Sequence, residues 1–113
     1  MVQPNKTLKF SPELVELVLS GEKTATWRLF DDKDLMTGDR VDLIKRPELV
    51  KFATAEIVSV VEKPLSDLTP KDRIGHEAFK SDRKMYETYK EYYKQEVNPS
   101  TLVKIYRFKL LPR

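Results

Sequence analysis

The sequence predicts an α+β domain built from a small, largely antiparallel sheet or barrel with helices packed outside it. Three observations carry this expectation. The chain has 113 residues, the usual size of one domain with one modest core. Hydrophobic residues make up 40% and charged residues 35%, which is a globular composition rather than a disordered one. The hydrophobic periodicity then reads strand, helix, three strands, two helices and a final strand, without the regular strand–helix alternation that builds a parallel sheet.

Each element has a local cause. Lys6 to Phe10 alternates polar and apolar residues, as a half-buried strand does. Ser11-Pro12-Glu13 starts a helix, with serine as cap, proline at the first helical position and glutamate at the positive end of the dipole. Leu14, Val15, Leu17 and Val18 form its apolar stripe, and Gly21 stops it. Lys23 to Leu29 alternates again and is rich in β-branched residues. That alternation sets Thr24, Thr26 and Arg28 on one face and Lys23, Ala25 and Trp27 on the other. Phe30 to Met36 is a charged loop, and the Thr37-Gly38-Asp39 turn feeds a third strand, Arg40 to Lys45. After a turn at Arg46-Pro47-Glu48 comes a fourth strand, Phe52 to Glu62, with Ala53, Ala55, Ile57, Ser59 and Val61 sharing a face. Pro64 ends it. Thr69-Pro70 predicts another helix start that Gly75 interrupts early, and a firmer helix runs from about Ser81 to Tyr93. Asn98-Pro99-Ser100 breaks that helix, and Leu102 to Leu111 is the last strand. No internal repeat or linker is present, so residues 1–113 read as one domain with its core at about 6–111.

Composition excludes several classes. No apolar run approaches the roughly 20 residues a membrane helix needs, and the N-terminus lacks the apolar stretch of a secretory signal. Cysteine is absent, which fits a reducing, cytoplasmic location. With no cysteine and one histidine, His76, no metal site is expected. Three scattered glycines cannot form a phosphate-cradling loop or a dinucleotide fingerprint, so no cofactor is expected. Net charge is +3, and from Asn98 onward the ionised side chains are Lys104, Arg107, Lys109 and Arg113. A basic last strand can meet an anionic partner, but four charges make a small footprint, and a solvated strand face is the plainer reading.

The chemistry concentrates in Gly21-Glu22-Lys23-Thr24-Ala25-Thr26-Trp27-Arg28, at a helix-to-strand junction. A lysine and an arginine near a barrel mouth can hold a phosphate or a carbonyl oxygen, the arginine bidentately. A threonine hydroxyl becomes a nucleophile when a desolvated lysine serves as base. The bland alternative is a polar strand with Arg28 paired to an acid such as Asp39. Trp27 reads first as a packing residue and second as a stacking platform for a base. The tyrosines of the late helix read as packing residues with their hydroxyls at the rim. His76 reads as a turn or cleft-lining residue, since no Gly-x-Ser-x-Gly elbow accompanies it.

The ordered set of motifs resembles the ASCH domain, a family of the PUA-like superfamily of small β-barrels. The matching pieces begin with the strand at Lys6 and the helix Pro12 to Ser20. Gly21, Lys23 and Arg28 form a Gly-x-Lys-(x)4-Arg signature. A Gly38-Asp39 turn, the Leu65 to Thr69 stretch, the Gly75-His76 step, the tyrosine-bearing helix and the closing Tyr106-Arg107-Phe108 follow. The resemblance spans roughly Lys6 to Leu111. It implies a cleft beside the Lys23–Arg28 strand suited to RNA or a modified nucleoside, with Thr24, Trp27, Arg28 and His76 as ligand-binding candidates. One branch of similar size, bacterial amidohydrolases that deacetylate N4-acetylcytidine, shares the Gly-x-Lys-Thr-x-Thr-x-Arg form, and its chemistry is attributed to a lysine, a threonine and a glutamate. Lys23 and Thr26 carry over. The family's spacing from Leu68-Thr69 places His76 where an acid is expected, with Glu77 one residue on; either a one-residue shift makes Glu77 the acid, or the acid is missing. In the catalytic reading, Lys23 deprotonates Thr26, Thr26 attacks the acyl carbonyl, Glu77 protonates the leaving amine, and Arg28 or a backbone amide near Gly21 stabilises the oxyanion. Two classes therefore stand: a module binding RNA or a modified nucleoside, and a small amidohydrolase using the same cleft.

Overall fold

The computed structural model describes residues 5–31 and 33–112; residues 1–4, Asp32 and Arg113 lie outside that description, and with them the N-terminal stretch and one of the four cations that follow Asn98. The described residues form five strands, two α-helices and one 3-10 turn: β1 (Lys6–Phe10), α1 (Pro12–Ser20), β2 (Ala25–Leu29), β3 (Arg40–Lys45), β4 (Val50–Pro64), a 3-10 turn at Leu65–Asp67, α2 (Asp82–Tyr93) and β5 (Leu102–Leu110). No helix among them is long and apolar enough to cross a membrane.

The expected α+β class and the external helices are found, but the sheet is mixed and open. Its order is β1-β3-β4-β5-β2. Three of the four pairings are antiparallel, while β1 runs parallel to β3, Leu8 beside Leu43. The parallel pair arises because α1 and β2 separate β1 from β3, and such a pair needs a long crossover. The sheet curls into a half-barrel whose edges, β1 and β2, do not pair with each other.

Two cores flank the sheet. One gathers Leu8, Phe10, Val18, Val41, Leu43, Ala55, Ile57, Tyr106 and Phe108, and the other gathers Trp27, Leu29, Leu65, Met85, Tyr89, Val103 and Ile105. Strand β5 serves both: Val103 and Ile105 point one way, Tyr106 and Phe108 the other, as period-two alternation requires.

Three local expectations are corrected. Ser11 stands at the N-cap of α1, but its hydroxyl makes no capping hydrogen bond. In β4 the pairing with β5 slips between Ile57 and Ser59, a β-bulge that inserts Val58. Beyond it the faces invert, so Val60 packs against the core while Val61 is 40% exposed. No helix follows Thr69-Pro70. The Asp72 carboxylate accepts from the Thr69 amide at 2.8 Å and its hydroxyl at 2.9 Å, so the threonine closes a turn instead.

Candidate functional site

Gly21 ends α1 in the left-handed conformation, φ 85°, a geometry that costs a side-chain-bearing residue and not glycine. The chain reverses there, and Lys23 N donates to Leu17 O at 3.0 Å. Lys23 is thereby turned inward, only 2% exposed. Its Nζ donates to Ala25 O at 2.8 Å and to Glu77 Oε2 at 2.5 Å.

Glu77 arrives on a segment 54 positions further along the chain, docked at two points. Gly75 O accepts from the amides of Thr24 at 2.9 Å and Ala25 at 3.2 Å. Arg107 on β5 donates to the carbonyls of Ile74 and Lys71 at 2.8 Å each and of Asp72 at 3.2 Å. Gly75 has φ +81°, and a Cβ there would lie 2.1 Å from Thr24 Oγ1, so the close approach needs glycine for two separate reasons.

Strand β2 is an edge, and its pattern of free amides follows from its register. Thr24, Thr26 and Arg28 occupy the positions bonded to β5, as Phe108 N to Thr24 O at 3.1 Å shows. The amides of Ala25, Trp27 and Leu29 therefore point to the free edge. Ala25 uses Gly75 O, and Leu29 donates to the Tyr93 hydroxyl at 3.1 Å. The Trp27 amide lies between them. Against this edge stands a cavity of about 390 Å³, within the size range of small-ligand sites. Lys23, Thr26, Arg28, His76 and Glu77 line it, with aromatic walls from Phe10, Trp27, Phe79 and the α2 tyrosines.

Arg28 bridges the open side of the half-barrel. One guanidinium nitrogen donates to the Thr26 hydroxyl and, at 3.1 Å, to Trp27 O; the other reaches Lys9 O on β1 at 2.8 Å. Its guanidinium lies 5.4 Å from the Phe10 ring centre, a cation–π distance. The suggested pairing of Arg28 with Asp39 is not formed, because Asp39 takes Lys6 at 3.0 Å.

Burial lowers the Lys23 pKa, and the hydrogen bond and charge of Glu77 only partly offset it. Burial pushes the Glu77 carboxyl up, but the Lys23 ammonium overturns this and holds it below the ordinary range. The two directions describe one ion pair at neutral pH whose lysine surrenders a proton more readily than a solvated lysine. His76 is pushed down to about 4 by burial and the Lys23 charge. It is therefore neutral, and its Nδ1 donates to Glu77 O at 2.9 Å. Its ring stacks on Trp27 at 3.9 Å between centroids and 12° between planes.

Lys23, Thr26, Trp27, Arg28, His76 and Glu77 thus meet at one cavity. Thr24 does not line it; it is exposed, with its hydroxyl against Gly75. Trp27 is a buried member of the second core rather than an open platform. The Gly21 amide is already spent on Val18 O at 3.2 Å, which removes it as an oxyanion donor. Sequence reasoning passed over Arg46, which also lines the cavity; its position before Pro47 reads as a turn and carries no signal of the site.

No family model matches the sequence, and no curated protein matches it. Solved structures do. A protein from Enterococcus faecalis V583, described by the family model DUF984, superposes with TM-score 0.77 at 20% identity, over 98% of this chain and 82% of that one. An ASCH domain from Lactobacillus crispatus JV V101 gives 0.66 at 20% identity over 87% and 70%. ASCH from Zymomonas mobilis gives 0.61 at 20% identity over 91% and 65%. The chain therefore has the fold of the ASCH-domain structures.

Proposed function

We propose that this chain is an ASCH-type domain whose cavity is the active site of a small amidohydrolase acting on an N-acylated nucleoside, N4-acetylcytidine being the substrate to test first. The observation that carries the reading is the buried Lys23 ammonium held 2.5 Å from Glu77, with the Thr26 hydroxyl lining the same cavity. A buried lysine on a carboxylate can pass a proton either way at little cost, which general acid–base catalysis of amide cleavage requires.

With the ion-pair proton passed to Glu77, the free amine of Lys23 takes the proton of the Thr26 hydroxyl as Thr26 attacks the acyl carbonyl. Arg28, which already donates to Thr26 Oγ1, and the edge amide of Trp27 supply positive character where the oxyanion forms. The C–N bond breaks as Glu77, in exchange with Lys23, delivers a proton to the departing amine. Water then gives a proton to the Glu77 carboxylate and attacks the acyl-threonine, and the acyl–Oγ1 bond breaks as Lys23 returns a proton to Thr26, releasing the carboxylic acid and restoring the starting pair. Binding of a long RNA strand is the weaker reading, because Arg107 and Lys104 donate to backbone carbonyls.

Incubation with N4-acetylcytidine, followed by chromatography of cytidine, tests the proposal. Turnover is expected in the unaltered protein, with Lys23→Ala slower by about 10²–10⁴-fold and Thr26→Val similarly impaired. Turnover no greater than that of Lys23→Ala discards it.

A further inference from the structure

The proposed hydrolysis uses Lys23, Thr26 and Glu77 with Arg28 beside Thr26, and leaves Arg46, a second guanidinium of the cavity, without employment. Arg46 follows β3 directly and is anchored through its backbone, its amide donating to Phe10 O at 2.9 Å, next to the Lys9 carbonyl that Arg28 reaches. Its guanidinium lies 5.9 Å from the Tyr92 ring centre, as Arg28 lies over Phe10. The Nε of Arg46 is buried and has no hydrogen-bond partner. Among the described residues no carboxylate pairs with Arg46 or Arg28. Both line the cavity. Burial lowers the basicity of Arg28, and the neighbouring Arg46 charge lowers it further, yet an arginine remains protonated in such a setting.

Two guanidiniums lying over aromatic rings, close enough for their charges to repel, with Asp31 near Arg28 but paired to neither, are costly unless an anion joins them. Arg28 gives donors to Thr26 Oγ1, Trp27 O and Lys9 O and keeps its Nε–H and one terminal N–H, and Arg46 keeps its unpartnered Nε, which together can meet the tetrahedral oxygens of a phosphate. We infer that Arg46 and Arg28 form a phosphate subsite at the cavity rim, so that the ligand is a mononucleotide rather than a bare nucleoside. The cavity, about 390 Å³, is half-open with aromatic walls, and its volume suits one nucleotide rather than several. A single terminal phosphate fits it better than an internal phosphate of a strand.

This inference rests on the nucleoside reading of the cavity, but its test does not require catalysis. Isothermal titration with cytidine and with cytidine 5′-monophosphate measures the phosphate contribution directly. The monophosphate is expected to bind at least tenfold more tightly, and the advantage should fall close to onefold in Arg46→Ala. Arg46→Lys, which keeps the charge and loses the planar fork, should restore only part of it; far-ultraviolet circular dichroism verifies that both variants fold. Equal affinity for the two ligands, or a phosphate advantage that survives in Arg46→Ala, overturns the subsite. A single-stranded cytidine oligonucleotide binding more tightly than the monophosphate overturns the mononucleotide assignment. A phosphate advantage without N4-acetylcytidine turnover leaves the subsite standing and removes the hydrolase, whereas turnover without that advantage does the reverse.

Discussion

Strands β2 and β5 lie side by side, with Arg28 opposite Lys104 and Ala25 opposite Arg107, and each carries an arginine that the sequence alone presents as a candidate for binding an anion. Their fates diverge. Arg107 is consumed by three backbone carbonyls of the 71–74 turn, and Lys104 by Lys33 O at 3.2 Å. Arg28 also donates to carbonyls, but it does so at a cavity wall, beside the Thr26 hydroxyl and near a second unpaired guanidinium. The difference is one of edges. β5 is an interior strand, so its long side chains reach over the sheet to loops. β2 is an edge, so the space beside it stays open to a ligand. One strand supplies the frame and, in the proposed function, the other supplies the chemistry, and the 71–77 segment links them.

The largest expected effect breaks that link. Gly75→Ala would place a Cβ 2.1 Å from Thr24 Oγ1 at φ +81°. Backbone strain of this kind costs on the order of 1–3 kcal/mol, and relief of the clash moves the segment that carries Glu77 away from Lys23. Urea denaturation should show a loss of about 3 kcal/mol, and any N4-acetylcytidine turnover should vanish with it. Adding Thr24→Ala removes the nearest atom and should recover part of the stability, while φ keeps the rest lost. If Gly75→Ala unfolds at the same urea concentration as the unaltered protein, the docking described for this segment is wrong.

How much of this was legible beforehand follows the same division. The expected bounds of β1, α1 and β3 agree with the structure because their signals are local: alternation, a proline at the first helical turn, a glycine at its end. The face of β4 beyond Ile57 differs from the alternation of its sequence, since a bulge is a property of two strands and Val58 carries no mark of it. Thr69-Pro70 resembles a helix start, but Asp72 completes a side-chain turn that propensity does not weigh. At the site, Lys23, Thr26 and Arg28 stood out by their spacing, and Glu77 by resemblance to the ASCH pattern. The meeting of Glu77 with Lys23 across 54 positions depends on Gly75 and Arg107, which no local pattern encodes. Arg46 was invisible for the same reason.

A smaller effect tests the framing role of β5. Arg107→Ala removes donors to three carbonyls, and hydrogen bonds to charged groups are each worth roughly 1.5–3 kcal/mol at most. The turn is half-exposed and water can replace part of that, so a total loss of about 2 kcal/mol is expected by urea denaturation. Binding of cytidine 5′-monophosphate should weaken only indirectly, through disorder of the 71–77 segment, and less than it does in Arg46→Ala. A weakening as large as that of Arg46→Ala would mean that Arg107 contacts the ligand and that the two strands do not divide the work.

The smallest effect concerns His76, which belongs to both regions: its backbone sits on the segment framed by Arg107, and its ring stacks on Trp27 of β2. Its pKa of about 4 in the folded chain lies below the ordinary 6.5, so the unfolded chain binds the extra proton first as pH falls. The stability that neutral His76 contributes is therefore complete above pH 6.5 and is lost progressively toward pH 4. Each pH unit of such a window is worth up to about 1.4 kcal/mol, and the interval from pH 6.5 to 5 avoids most carboxylate titration. Stability measured by urea denaturation should fall by about 1–2 kcal/mol across that interval in the unaltered protein. His76→Asn loses the stack and is less stable at every pH, but its slope over the same interval should be nearly flat. An equal slope in both proteins would show that His76 is protonated in the folded state, and the ring could not then be the neutral partner through which Glu77 is positioned beside Lys23.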